Sequence, residues 1–282
     1  MIFWVASYPK SGNTWLRALL ASYYYSNDGI FDQKLLKKIE QFPQKKNFSN
    51  FDYDQKKVTD TSRFWIKAQE LINLDKKLRF FKTHNILGGL NGNQFTNTKN
   101  TIGGIYIVRD PRNVITSLKN HFEMNDSDAL EFMLNKNKYT YNYHAENDYS
   151  DFQFISSWEN NYKSWKNQIY IPVKFIKYED LNSKTYEVFK DLIKFINITS
   201  KNQNIFNKDK AQKAIYSSSF DNLKTIESKN GFSESVLSKN HTKKISFFHL
   251  GPKNNWKNIF SEDYQNKLTL KFESNLKELN YI

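Results

Sequence analysis

Ile2-Phe3-Trp4-Val5-Ala6-Ser7-Tyr8-Pro9-Lys10-Ser11-Gly12-Asn13-Thr14-Trp15-Leu16-Arg17 runs from a nearly unbroken apolar stretch, through a turn, into residues with apolar positions at helical spacing. A short run that is apolar on both faces suits a strand buried on both sides of a parallel sheet. Pro9 and Gly12 supply the turn, and Asn13 or Thr14 is placed to cap the helix that follows. Strand, tight loop and helix together aim free backbone N–H groups and a positive helix end at an anion, and Lys10 adds an ammonium inside the loop. The same layout opens many α/β folds that hold no ligand, so the loop alone leaves an anion cradle and a plain turn both open. It does not follow the Walker order, because Lys10 precedes Gly12.

Working outward, Leu78–His84 reads as a second strand, Gly103–Val108 as a third and Tyr170–Ile176 as a fourth. Asp110 and Pro111 are N-cap and first-turn signals for a helix reaching His121. Amphipathic helices are expected over Phe31–Glu40 and Phe64–Asp75, and residues 126–169 read as mostly helical. Further helices are expected over 183–196, 209–229 and 261–278, with a loop over 42–62. Residues 230–258, rich in Lys, Ser, Asn and Gly, read as a long mobile segment of the kind that often serves function. Strands alternating with helices, with no repeat and no linker, predict one domain spanning residues 1–282.

The 282 residues carry 42 Lys+Arg against 29 Asp+Glu, a formal net charge of +13. That excess suits an anionic partner, although a Lys-coated surface accounts for it as well. Only Arg17, Arg63, Arg79, Arg109 and Arg112 are arginines, so the pair at 109 and 112 suggests a site that needs a planar, bidentate fork. Without cysteine there are no disulfides or thiolate metal sites, and His84, His121, His144, His241 and His249 form no metal-type pair, so no metal is expected. No apolar stretch is long enough to span a bilayer and no leader pattern precedes Ile2, which predicts a cytoplasmic protein.

Lys82-Thr83-His84 closes the second strand, so Lys10, His84 and Arg109 all fall at or just after strand ends, where open α/β sheets bind ligands. A lone His is usually structural; one beside a Lys and facing an anion loop is a candidate general base. Tyr8-Pro9-Lys10-Ser11-Gly12-Asn13-Thr14-Trp15 resembles the 5′-phosphosulfate loop of the sulfotransferases that use 3′-phosphoadenosine-5′-phosphosulfate (PAPS). Arg109-Asp110-Pro111-Arg112 through Ser117 is similar to that family's 3′-phosphate motif, and Lys82-Thr83-His84 to its catalytic histidine segment. Tyr178-Glu179-Asp180, Ser218-Ser219-Phe220 and Gly251 with Trp256 resemble its later motifs, in family order along nearly the whole chain. The C-terminal loop departs from the pattern: His249-Leu250-Gly251 stands where the family carries Arg-Lys-Gly, and Asn254 replaces the second Gly. Lys243, Lys244 and Lys253 are the nearby cations that could compensate.

The resemblance implies a three-layer α/β sandwich with a central parallel sheet of four or five strands flanked by helices. It also implies sulfuryl transfer from PAPS to an acceptor hydroxyl. On that reading His84 is the base, and Lys10 and Lys82 stabilise developing charge. Lys10, Ser11, Gly12, Asn13, Thr14, Trp15, Arg109, Ser117, Tyr178, Ser218, Phe220 and Gly251 bind the donor. The acceptor is expected to be a glycan or small hydroxylated metabolite held by segments 42–62, 85–100 and 125–155, with no nucleic-acid partner. A P-loop-like kinase and a non-catalytic binder of nucleotide or acidic glycan remain alternatives; Lys10 and His84 together favour the enzyme.

Overall fold

The computed structural model describes residues 1–142, 146–238, 240 and 243–282, so His144 and His241 lie outside the described residues. Strands β1 (Ile2–Ser7), β2 (Glu40–Gln41), β3 (Arg79–Thr83), β6 (Thr101–Val108) and β9 (Val173–Lys177) form one parallel sheet in the order β2-β3-β1-β6-β9. Between them come two short antiparallel ribbons, β4 (Gly89–Leu90) with β5 (Asn93–Gln94), and β7 (Tyr139–Thr140) with β8 (Gln153–Phe154). The expected α/β sandwich is what the chain forms, with five strands in the central sheet.

β1 lies at the centre because its sequence suits no edge: every residue from Ile2 to Ser7 is buried. Its side chains alternate between two cores, as the period of two requires. Ile2, Trp4 and Ala6 pack on one face, and Phe3 and Val5 on the other. Helices α2 (Trp65–Ile72), α3 (Pro111–Phe122), α4 (Asp126–Leu134), α5 (Trp158–Lys166), α10 (Glu262–Lys271) and α11 (Glu273–Glu278) cover the first face. Helices α1 (Asn13–Tyr25), α6 (Tyr178–Ser183), α7 (Thr185–Thr199) and α8 (Lys208–Ser217) cover the second. α9 (Phe220–Asn230) instead joins a third cluster, in which Leu223 meets Ala18, Phe31, Phe232 and Phe248. Among the described residues no helix is long and apolar enough to cross a membrane.

Several expectations change. Residues 126–169, expected to be mostly helical, hold two short helices separated by the β7–β8 ribbon. In that gap Asp148 accepts from the Ser150 amide and Asp151 from the Asn142 amide, side-chain bonds that compete with a helical ladder. Phe31–Glu40 contains only a 3₁₀ turn, Gln33–Lys38, capped by the Asp32 carboxylate. The helix expected over 209–229 breaks at Ser218-Ser219, with Ser219 extended, and the one over 261–278 breaks at buried Phe272. Apart from residues 239, 241 and 242, which are not described, segment 230–258 packs onto the protein through Phe232, Ile245, Phe248 and Trp256. It is irregular but anchored. The mobility expected of it has no support in that packing.

Candidate functional site

The carboxyl ends of β1, β3 and β6 are neighbours, and each leads directly into residues of the sequence pattern. The Lys10 loop turns through two left-handed residues, Lys10 at φ 65 and Gly12 at φ 99. A Cβ on Gly12 would sit 2.5 Å from the Tyr178 ring, so only glycine fits both that conformation and that contact. Neither Asn13 nor Thr14 caps α1, contrary to expectation; the N-cap is Gly12, which has no side chain to do it. The Asn13 amide instead donates to the Val5 carbonyl at 3.0 Å and the Ser7 hydroxyl at 3.2 Å, lashing the loop to the end of β1. The first turn of α1 therefore keeps its amides for something else.

His84 follows β3 and is fixed by three separate elements. Its amide donates to the Gln153 side chain at 2.6 Å, and its carbonyl accepts from Asn161 at 2.9 Å. Ring atom Nδ1 lies 2.7 Å from the Ser7 carbonyl, which can only accept, so Nδ1 carries the proton. That leaves Nε2 with a lone pair. Burial, with Lys82 and Arg17 adding to it, pushes the His84 pKa down to about 3, so the ring is neutral in the free protein. Asn161 also accepts from the Tyr106 hydroxyl at 2.7 Å and donates to Ile155, tying the histidine to β6 and to the core.

Four cations converge beside it. Lys10 rests with its ammonium 4.0 Å from the centre of the Phe247 ring, and burial, with Lys82 and Arg109 adding to it, lowers its pKa to about 7 despite the opposing pull of Glu234. Burial lowers Lys82 as well. Arg17, on α1, is held by Nε and Nη2 bonds to the Ile39 carbonyl at 3.1 and 2.8 Å, with Nη2 also reaching Leu36. Arg109 lies 4.2 Å over the Tyr178 ring, and its Nη atoms reach the Lys10 and Gly251 carbonyls only at 3.3 and 3.4 Å. Clustered cations, the two lysines among them with lowered pKa values, are a site tuned for an anion.

The second arginine of the pair does not join them. Arg112 grips the Asp110 carboxylate bidentately, Nε to Oδ1 at 2.9 Å and Nη2 to Oδ2 at 2.7 Å, and stacks on Trp256. Its fork is spent inside the fold, where it holds the start of α3. Asp110 is the N-cap that the sequence predicted, accepting from the Arg112 amide at 2.9 Å.

Around Arg109 the remaining pattern residues assemble. Ser117, half-buried, lines the same cleft. Gly251, at φ 51, lies so close to Phe220 that a Cβ would come within 2.1 Å of its ring. Trp15 meets Tyr178 edge-on at 5.7 Å. Asn254, in place of a glycine, accepts from Thr116 at 2.7 Å and donates to the Asn113 carbonyl, pinning the C-terminal loop to α3. Ser11 Oγ, Asn13 Oδ1, Trp15 Nε1, Arg109 Nε and Ser218 Oγ are all buried without a hydrogen-bond partner. All these groups border one cleft of about 1850 Å³, except Ser11 and Ser218, which do not line it.

A sequence model of the sulfotransferase domain matches residues 2–280. The chain belongs to the sulfotransferase family. Among solved structures it is similar to mouse sulfotransferase SULT7A1 complexed with PAP (TM-score 0.60, 20% identity, 98% of this chain and 84% of that one). It is also similar to retinol dehydratase in complex with androsterone and inactive cofactor PAP (TM-score 0.60, 16% identity, 98% and 80% of the two chains). A second retinol dehydratase complex, with retinol and PAP, matches at TM-score 0.59 and 16% identity, covering 98% and 81%. A search of curated proteins finds no match.

Beyond His84 the cleft of this sulfotransferase opens between Gln41, Gln44, Lys138, Tyr139, Asn142 and Gln153. Segments 42–62 and 125–155 thus contribute to it as expected, although residues 143–145 are not described. Segment 85–100 does not line it; its β4–β5 ribbon packs beside α2 instead. Lys243, Lys244 and Lys253 are exposed, and Lys224 reaches the altered C-terminal loop, its Nζ donating to the His249 carbonyl at 3.3 Å. Three cleft residues escaped the sequence reading: Arg17, Glu234 and His121. Arg17 had a usable signal, a rare arginine one turn into the helix after the loop. His121, neutral and pushed to about 3 chiefly by burial, sits edge-on against Phe247. Among the described residues no cluster of three or more His, Asp or Glu could hold a metal ion.

Proposed function

We propose that this sulfotransferase draws its sulfuryl group from PAPS and delivers it to a hydroxyl of a glycan or small hydroxylated metabolite. The observation that carries the reading is the convergence of Lys10, Lys82, His84 and Arg109 at the ends of three adjacent parallel strands. PAPS, when bound, supplies an activated sulfuryl group. The residues present fit it: Asn13 Oδ1, Trp15 Nε1 and Arg109 Nε, buried in residues that line the cleft, lack partners, and Gly12 and Gly251 sit where a side chain would collide with Tyr178 and Phe220. Lys10, Ser11, Gly12, Asn13 and Thr14 would hold the 5′ end. Arg109, Ser117 and Gly251 would hold the 3′-phosphate, with Trp15, Tyr178, Ser218 and Phe220 around the adenine.

Chemistry follows from the side chains. His84 Nε2, unprotonated, takes the proton of the acceptor hydroxyl. Lys10 and Lys82 place positive charge where negative charge develops, in a site largely shielded from water. Lys10, within the loop and favoured in its charged form by a bound anion, also carries part of donor affinity. The amides of Gln41, Gln44, Asn142 and Gln153, with the Tyr139 ring, suit an acceptor rich in hydroxyls. Transfer from labelled PAPS is therefore expected to an oligosaccharide pool or to small polyols, and it should persist in a metal chelator. Transfer to sterols and phenols but not to polyols would overturn the acceptor reading, and nucleoside triphosphate turnover dependent on magnesium would overturn the donor reading.

A further inference from the structure

Inside the cradle lies a carboxylate from the far end of the chain. Glu234 accepts from the Thr14 hydroxyl at 2.6 Å through Oε2 and pairs with Arg17 Nη1 through Oε1, which is also 3.9 Å from Lys82 Nζ. Thr14 lies in the first turn of α1, Arg17 one turn into it, and Lys82 near the end of β3, so two elements aim three side chains at one carboxylate. The fork of Arg17 is rigid before it meets that carboxylate: Nε and Nη2 are committed to the Ile39 and Leu36 carbonyls, and Nη1 is left pointing at the site. Glu234 itself is half-buried and comes from an irregular segment, whereas its partners are in regular elements. The rigid part of this arrangement is a seat for two oxygens of an anion. The anion now in it is a side chain.

We propose that Arg17 is a further donor-binding residue, and that Glu234 occupies the seat of the donor's 5′ anionic group until the donor displaces it. The proposal rests on the PAPS reading above. A carboxylate and a phosphate or sulfate compete for the same hydrogen-bond donors, because both present paired oxygens to a fork. The Glu234 carboxyl is held well below the usual range by Lys82, Arg17 and Thr14 against the opposing effect of burial, so the occupant stays charged at neutral pH. Apparent donor affinity is then the intrinsic affinity multiplied by the fraction of molecules in which the carboxylate has left. Glu234 would thus restrain binding of free nucleotide while keeping Arg17 and Lys82 from facing each other unpaired.

The test is calorimetric titration of adenosine 3′,5′-bisphosphate and of PAPS, without acceptor, into the wild-type protein and Glu234→Gln. The amide keeps the shape and weakens the hold on Arg17. If the seat is empty in about a tenth of wild-type molecules, both dissociation constants fall by up to about tenfold in Glu234→Gln. Glu234→Ala gives the same direction and serves if the first variant folds poorly. Weaker or unchanged nucleotide binding in both variants would overturn the proposal and leave the donor reading standing, since Glu234 would then be a structural partner that stays in place. Binding of neither nucleotide by any of the proteins would remove the donor reading, and this proposal with it. Arg17→Lys in the Glu234→Gln background completes the test: lost affinity supports the assignment of Arg17, and retained affinity contradicts it.

Discussion

His84→Ala is expected to lower single-turnover sulfuryl transfer by about 10²–10⁴-fold, the usual contribution of a positioned general base. Affinity for adenosine 3′,5′-bisphosphate should stay near wild type, because a general base at Nε2 serves the acceptor hydroxyl and not the nucleotide. Folding should survive as well. Two of the three anchors of residue 84 are its own amide and carbonyl, bound to Gln153 and Asn161, and alanine keeps both. The bond that is lost is the one that sets the tautomer, Nδ1 to the Ser7 carbonyl. Since the ring is neutral down to about pH 3 in the free protein, kcat/KM of the wild type should show no acid limb near pH 6.5. A variant with normal melting temperature, normal nucleotide affinity and near-normal turnover would exclude His84 as the base.

Lys10→Ala should differ in kind, losing rate and nucleotide affinity together. Removing one oxyanion donor costs about 10²–10³-fold in kcat in comparable sites. The pH dependence identifies the group. With a folded pKa of about 7, Lys10 is charged below that pH and neutral above it in the free protein. A bound anion favours the ammonium, so binding takes up a proton above pH 7, and affinity should fall by up to about tenfold per pH unit there. Stability has the opposite sign. Between pH 7 and the ordinary lysine value of 10.5 the unfolded chain holds a proton that the folded one has released, so the Lys10 contribution to folding improves as pH rises through that window. Titrations from pH 6 to 9 should show the affinity loss in the wild type and its absence in Lys10→Ala. An identical slope in the variant would assign it to another group.

Much of this was legible in the sequence because it rests on local constraints. A strand apolar on both faces has to be central, and the turn at Lys10 and Gly12 has to follow it. Asp110 and Pro111 announce α3 by chemistry confined to two neighbouring residues. What stayed hidden depends on distant partners or on side-chain direction. Arg112 looks like Arg109 in sequence, yet it turns back onto Asp110 two residues earlier. Glu234 meets Thr14 across a separation of 220 residues, which no spacing rule can reveal. Residues 126–169 are less helical than expected because Asp148 and Asp151 bind nearby amides, a choice that composition does not show. The altered C-terminal loop was visible as a departure, but its consequence was not: Asn254 makes bonds to Thr116 and Asn113 that a glycine cannot.

The central claim is that the cleft reads a nucleotide by its 3′-phosphate as well as its 5′ group, with Arg109 as the fork for the former. Its most direct test is calorimetric comparison of adenosine 3′,5′-bisphosphate with adenosine 5′-phosphate, in wild type and in Arg109→Ala, with a metal chelator present. The account predicts that the bisphosphate binds the wild type far more tightly. A charge-assisted pair of this kind contributes about 1.5–3 kcal/mol, so most of that preference should disappear in Arg109→Ala. Equal binding of the two nucleotides by the wild type, or a preference that survives in Arg109→Ala, would contradict it.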